Sequence, residues 1–323
     1  MKAAVLKQFG RVPVYDDFSD VAAHSADEVV LTIRAAAIKN LDKLRASGTH
    51  YASYKEVPVV VGIDGVGVLE DGTRVYAQGI TGMLAEKALV PKSKTIALPG
   101  SISDELAAAL PNAAMGSAIA LLYRGQLKKG EVVLINGATG VTGQMAVQLA
   151  KHYGASRIIA TGRNAHSLHH LLQLGADEVI SLHDEEQTIV KKIKAIHAET
   201  PIDVVIDYLW GRPMEIILSA FKSGGIGVFT HRVRVVTVGS MAGENIELGS
   251  GLLRSAAIEI LGSGLGSIAE ESFRLFNTVV LPELFQLAGD GKLRLDTVTA
   301  PLKEIAEYWH KDVGAGKRLV VLI

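Results

Sequence analysis

The 323-residue chain contains no cysteine. That absence removes disulfides, thiolate nucleophiles and every zinc site built on thiolates. It also suits a reducing compartment, so a cytoplasmic location is expected. Aromatic residues are scarce at 5% and the formal net charge is −1. Neither a basic surface for phosphate backbones nor a set of stacking platforms is on offer, and no nucleic-acid partner is expected. Long uninterrupted hydrophobic runs are missing too. The most apolar stretch, Leu106 to Tyr123, is broken by Pro111, Asn112 and Gly116 and reads as a buried helix pair, not a membrane span. The N-terminus, Met1-Lys-Ala-Ala-Val-Leu-Lys7, meets charge too soon for a signal peptide, so no membrane association is expected. What the chain does have is bulk. With 48% hydrophobic residues it can fill two cores.

The rhythm of the sequence changes near residue 115. Before it lie short alternating segments with turns between them: Lys2 to Leu6, Glu28 to Ile38, Pro58 to Leu69, Arg74 to Tyr76 and Ala85 to Val90. Gly62, Gly65, Gly67 and Gly72 supply turn and bulge positions, and the whole reads as a β-barrel-like unit. After it, strands are expected near 131–136, 157–161, 178–182, 203–208, 234–239 and 258–262, separated by helices, as in a doubly wound parallel sheet. Between 224 and 238 two runs compete for one strand, Gly225 to Thr230 and Arg234 to Val238. The tail holds a helix around Glu271 to Leu287, a strand from Arg294, a helix from Leu302 to His310 and a final strand from Arg318, and it is expected to return to the first domain. The domains expected are therefore 1–115, completed by 288–323, and 116–287.

The most informative stretch is Glu131-Val-Val-Leu-Ile-Asn136, then Gly137-Ala-Thr-Gly140-Val-Thr-Gly143, then the amphipathic run Gln144 to Lys151. An apolar strand, a turn with glycines three residues apart and a helix make the phosphate cradle of a dinucleotide-binding βαβ unit. Backbone N–H groups must approach a pyrophosphate at the positive end of a helix, and side chains would hold the anion off. Gly137 and Gly140 serve the turn and the approach, and Gly143 serves the packing of helix on strand. The bare motif is also what an ordinary tight turn contains. The context supports a cofactor, because Arg157 to Thr161 follows as the second strand. At its end an NAD enzyme usually carries a carboxylate for the ribose hydroxyls. Here Arg163 and Asn164 stand instead. A guanidinium suits a 2′-phosphate, so NADPH is the cofactor expected, although a solvated loop arginine would look the same.

Several phrases, taken in order, resemble the zinc-independent quinone oxidoreductase branch of the medium-chain dehydrogenase/reductase superfamily: Ala36-Ala-Ile-Lys-Asn-Leu-Asp42, Arg45-Ala-Ser-Gly-Thr-His-Tyr51, Gly62-Ile-Asp-Gly-Val-Gly67, Gly82-Met-Leu-Ala-Glu86, Ala107-Ala-Ala-Leu-Pro111 and Leu174-Gly-Ala-Asp177. The resemblance implies a GroES-like β-barrel catalytic domain with a Rossmann domain, and cofactor and substrate in the cleft between them. Zinc-dependent relatives place a Cys where Lys39 stands and Gly-His-Glu where this chain has Gly62-Ile63-Asp64, so no metal is expected. Zinc-free relatives usually carry Asn-Pro where this chain has Lys39-Asn40. The family's lysine for the 2′-phosphate falls at Ser167, which leaves Arg163 to carry the preference. By the same pattern Ala138, Thr139, Val141 and Thr142 line the pyrophosphate turn, while Asp207, Val238, Gly239, Ser240, Gly262 and Ser263 face the nicotinamide half.

The activity implied is hydride transfer from NADPH to a small quinone or an α,β-unsaturated carbonyl. The protein's task is to position the acceptor and stabilise charge on its oxygen. Lys39, Asn40 and Tyr51 are the candidate donors; a solvated loop lysine and a pocket wall are the plainer roles for Lys39 and Tyr51. A homodimer is expected from the resemblance, with an edge strand from 249–265 between subunits. Two other readings compete with this one. Tyr51-Ala-Ser-Tyr-Lys55 has the Tyr-x-x-x-Lys spacing of short-chain dehydrogenases, but in those the glycine turn comes first, and here it comes second. A non-catalytic NADPH-binding sensor or structural protein is the alternative from another class, and Lys39 in place of Asn keeps it open.

Overall fold

The computed structural model describes residues 1–49, 52–222 and 230–323, which divide into two units, Met1–Asn112 with Leu281–Ile323, and Ala113–Val280. The strands in chain order are β1 (Lys2–Leu6), β2 (Val14–Asp17), β3 (Glu28–Ala37), β4 (Val59–Val60), β5 (Asp64–Val68), β6 (Arg74–Gln78), β7 (Lys87–Pro91) and β8 (Thr95–Ala97). They continue with β9 (Val132–Asn136), β10 (Arg157–Gly162), β11 (Glu178–Ser181), β12 (Val204–Asp207), β13 (Val233–Thr237), β14 (Ile258–Gly262), β15 (Asp296–Pro301) and β16 (Lys317–Leu322).

In the first unit β2-β1-β4 form one small sheet, and β15-β16-β3-β5-β6-β8 form a second, with β7 pairing along the other half of β3. β3 can serve three partners because its pattern changes along its length. Leu31 and Ile33 are buried and alternate with exposed Thr32 and Arg34, as one covered face requires, whereas Ala35, Ala36 and Ala37 are all buried. Neighbouring β5 comes close only because it carries glycine. A Cβ at Gly67 would lie 2.3 Å from the Thr32 carbonyl oxygen, and one at Gly65 2.8 Å from that of Ala35. The core inside includes Leu6, Leu31, Met83 and Leu84, closed by Ile305, Trp309 and Val321 from the end of the chain. The segment Pro58 to Leu69, expected with Gly62 at a turn or bulge, is two strands. It breaks at Gly62, whose φ of 103° lies in the left-handed region. β2 and β8 were not anticipated; both are short, and β2 alternates half-buried and exposed residues that carry little apolar signal.

The second unit is a parallel sheet in the order β11-β10-β9-β12-β13-β14. Every residue of β9 and β12 is buried, the near-continuous apolar run of a strand covered on both faces. Of the two runs competing for the fifth strand, β13 is the second; residues 225–229 of the first lie outside the described residues. Among the described residues the first six helices of the chain are α1 (Asn40–Ser47) and α2 (Asp104–Ala118), then α3 (Val141–His152), α4 (Ala165–Leu174), α5 (Glu186–Glu199) and α6 (Gly211–Ala220), and four more follow after residue 249. On α5, Ile189, Ile193 and Ile196 form the buried stripe at helical spacing.

The expected helix pair at 106–123 is instead one run, since α2 continues as a wider turn through Arg124 with Pro111 inside it. Burial of Ala107 to Leu110 on one side of the proline and Ala113, Ala114 and Ala118 on the other outweighs the roughly 3 kcal/mol that an interior proline costs. By length and composition this run could cross a membrane, but 67% of its most apolar part is buried within the protein.

Candidate functional site

The glycine turn after β9 is built for an anion. Gly137 has a φ of 82°, and a Cβ there would strike the Leu209 side chain at 2.7 Å. A Cβ at Gly143 would come within 2.5 Å of Ala138 Cα, so only glycine lets α3 fold back against its own turn. Gly140 differs. It is the residue before α3, with a φ of −79° that any residue can adopt, and a Cβ there would meet no protein atom within 4 Å. Glycine at 140 therefore serves no packing need inside the chain. It keeps open the space in front of the first α3 amides, which have no carbonyl one turn behind them. The cradle fits a dinucleotide pyrophosphate. Thr139, Val141 and Thr142 border it half-buried, but Ala138, expected to line it, is fully buried and its N–H donates to the Thr161 carbonyl (2.8 Å). Ala138 supports the turn instead.

Behind the turn is a buried polar network that sequence reasoning missed. Asn136 Nδ2 donates to Asp207 Oδ1 (2.7 Å), Thr161 Oγ1 donates to Asn136 Oδ1 (2.7 Å), and Gly137 N donates to Thr161 Oγ1 (3.1 Å). Asp207 also accepts from the amides of Leu209 (3.1 Å) and Trp210 (3.1 Å). Burial lifts the Asp207 carboxyl above its usual range, with these bonds pulling back. Asp207 was expected to face the nicotinamide half, and it does not. It is wholly buried and holds two loops, including Trp210 at an unfavourable φ of 54°. A polar residue closing each apolar strand, Asn136 on β9 and Thr161 on β10, was the available signal.

At the end of β10, Gly162 lets the strand abut the turn, because a Cβ there would lie 2.4 Å from Thr139 Cγ2. Arg163 follows immediately and is exposed. Asn164, also expected at the cofactor, spends its side-chain oxygen on capping α4, accepting from Ser167 N (2.9 Å). A separate pocket of about 310 Å³ opens at the carboxyl ends of β12, β13 and β14. Val238, Gly239, Ser240, Gly262 and Ser263 all line it, as the sequence pattern grouped them, together with the unanticipated Trp210 and Glu244.

In the first unit the structure corrects the reading of Lys39. It is neither a solvated loop lysine nor a free donor, being only 3% exposed. Its ammonium bonds the Asp64 carboxylate and lies 3.5 Å from Asp42 Oδ2. Tyr76 donates to the other Asp64 oxygen (2.6 Å). Asp42 accepts from the backbone N–H groups of Lys39 (2.9 Å) and Ile63 (3.1 Å), tying the start of α1 to the loop before β5. Burial alone would lower the Lys39 pKa, but the two carboxylates hold it above the usual lysine value. Burial lifts the Asp42 carboxyl, helped by the charge of Asp64. Nearby, Gly62 N donates to the Tyr54 hydroxyl (3.2 Å), whose pKa burial and Asp42 push up to about 12. Asn40 is exposed at the start of α1, and Tyr51 and His50 lie outside the described residues.

A 3-2-1-4-5-6 parallel sheet with a glycine cradle, together with an antiparallel unit closed by the last strands of the chain, defines a class, and the comparisons agree. A family of zinc-binding dehydrogenases matches residues 141–280. The quinone oxidoreductase of Lama guanicoe is 29% identical over all of this chain and 98% of its own length. An NADPH-dependent alkenal/one oxidoreductase from Arabidopsis thaliana is 34% identical over 56% of this chain and 52% of its own. A crystal structure of the quinone oxidoreductase from Thermus thermophilus, also solved as a complex with NADPH, superposes with a TM-score of 0.77 over both whole chains at 28% identity. The chain belongs to the medium-chain dehydrogenase/reductase superfamily. Within it, the chain falls in the quinone oxidoreductase branch.

The zinc in the matched family's name does not fit this chain. The positions that the resemblance gives to zinc ligands hold the Lys39 ammonium, the Ile63 hydrocarbon and the Asp64 carboxylate already bonded to Lys39. Among the described residues no three His, Asp or Glu side chains form a group that could hold a metal ion.

Proposed function

We propose that this protein is a zinc-independent, NADPH-dependent reductase acting on a quinone or an α,β-unsaturated carbonyl, and that it works as a cytoplasmic homodimer. The observation that carries the reading is the cradle, with space kept open at Gly140 and Arg163 at the end of the adjacent strand. The names of the relatives support the acceptor class. When bound, NADPH supplies the hydride. The chain's residues do the rest. The turn from Gly137 to Gly143 and the first α3 amides hold the pyrophosphate, Arg163 pairs with the 2′-phosphate, and Gly239, Ser240, Gly262 and Ser263 flank the nicotinamide end. Asn40 and Tyr51 are the donors to the acceptor oxygen. Lys39, committed to two carboxylates, acts by holding the start of α1, which carries Asn40.

The test is oxidation of NADPH and NADH at 340 nm, with EDTA present, against a benzoquinone, a naphthoquinone, an enone, an enal and acrylate. Turnover unaffected by EDTA and faster with NADPH is expected. Arg163→Ala should lose roughly tenfold or more in NADPH affinity, while NADH affinity barely changes. Tight NADPH binding without oxidation of any acceptor would favour a non-catalytic binding protein. For the dimer, the support is β14, an edge strand of its sheet among the described residues. Sedimentation at micromolar concentration should give twice the chain mass, and a monomer would exclude that assembly.

A further inference from the structure

The pocket at the carboxyl ends of β12, β13 and β14 has a single ionisable side chain on its wall, Glu244. Its carboxylate is 2.6 Å from the Ser240 hydroxyl. A carboxylate only accepts, so the one proton of Ser240 is directed at Glu244, and Ser240 presents lone pairs to anything else. Two neighbouring side chains thus offer the pocket acceptors and no proton. The backbone acceptor closest in kind is already engaged, since the Gly262 carbonyl accepts from Arg124 Nε (2.7 Å) and from Ser267 Oγ (3.1 Å). Unlike the hydroxyls of Thr237 and Ser263 elsewhere on the wall, this pair repels phosphates and carboxylates and selects a group with protons to give.

We propose that Glu244, with Ser240, is the specificity element for the carboxamide of the nicotinamide ring, accepting its amino protons. This rests on the NADPH reading above. With the 2′-phosphate at Arg163 beyond β10, a dinucleotide crossing the point between β9 and β12 where strand order reverses brings its other half to the ends of β12 to β14. On that half the primary amide is the group with two protons on one atom, matching two adjacent acceptors. A carboxylate acceptor also makes the stronger, charge-assisted bond. Through the amide it would fix which way round the ring lies, and hence which face of the ring meets the acceptor.

The test compares binding of NADPH with that of its reduced 3-acetylpyridine analogue, in which a methyl group replaces the amino group, followed by the fluorescence of Trp210 on the pocket wall. The wild type should prefer NADPH by roughly tenfold, and Glu244→Ala should bind the two within roughly twofold of each other. Glu244→Gln, which keeps one acceptor, should lie between and controls for disturbance of the loop. Unchanged discrimination in Glu244→Ala would overturn the assignment. So would an equal loss of affinity for both cofactors, the result expected of contact with a ribose hydroxyl or of a structural role. Wild type that binds both equally tightly would refute this assignment alone, and wild type that binds neither would refute the cofactor reading with it.

Discussion

Lys39→Met is expected to lower the stability of the first unit by about 3–5 kcal/mol, because it removes one cation from a buried charge cluster and leaves two carboxylates with only the Arg318 guanidinium against them. Methionine keeps most of the stem volume, so the loss is electrostatic and not a cavity. Asp42 and Asp64 would face each other without the ammonium between them, and Asp42 is also the anchor for the Lys39 and Ile63 amides. Differential scanning calorimetry should show a fall of roughly 10 °C in the midpoint of that unit. The sign of the pH dependence follows. Without Lys39, the Asp42 carboxyl, already raised by burial, has a folded pKa further above its unfolded one. Its destabilisation is present above the folded pKa and is relieved as pH falls through it. The gap between wild type and variant should therefore narrow toward acid pH. Lys39→Met combined with Asp64→Asn should recover much of the loss, since the one remaining carboxylate, Asp42, still has the Arg318 guanidinium as its counter-charge. A single variant that melts with the wild type would show that the buried pairing is not made in solution.

Gly140→Ala and Gly143→Val should both weaken NADPH binding, by tenfold or more on the order-of-magnitude scale of one lost anchoring contact, but only the second should lower stability. The methyl at 140 meets no protein atom, and the backbone there is ordinary, so the variant should melt with the wild type while its Cβ enters the space kept for the pyrophosphate. The side chain at 143 has nowhere to go. Its Cβ would overlap Ala138 and the Gly137 carbonyl (2.8 Å), so α3 must shift, at about 1–3 kcal/mol or more. Isothermal titration with NADPH beside a thermal melt separates the two. If Gly140→Ala bound NADPH normally, the open space in front of α3 would not be the phosphate site.

How much of this was legible beforehand varied with the kind of interaction. β1 and β14 fall on the residues expected, and the strands of the parallel sheet lie within one or two residues of theirs, because burial on both faces forces continuous apolar runs bounded by glycine and polar residues. The cradle was legible for a similar reason: strand, glycine turn and helix are consecutive, so one short stretch of chain carries the whole site. The short strand β2 and the unbroken helix through Pro111 were not legible. Each depends on what another part of the chain places against it.

The roles of Lys39 and Asp207 show where that boundary lies. From sequence, a lysine beside the first helix was a candidate donor to the acceptor, and an aspartate at a strand end was expected to face the nicotinamide half. The tertiary structure gave Lys39 two carboxylate partners, one of them 25 residues away, and gave Asp207 an amide partner 71 residues away. By itself the sequence determined the fold class, the phosphate cradle and the charge at the end of β10, since each follows from local periodicity and from residue types that act through their own backbone. Which polar side chains are satisfied inside the protein and which still have a proton or lone pair to offer was decided only by tertiary structure. A hydrogen bond needs two groups within about 3 Å, and the chain brings distant residues that close only once it has folded.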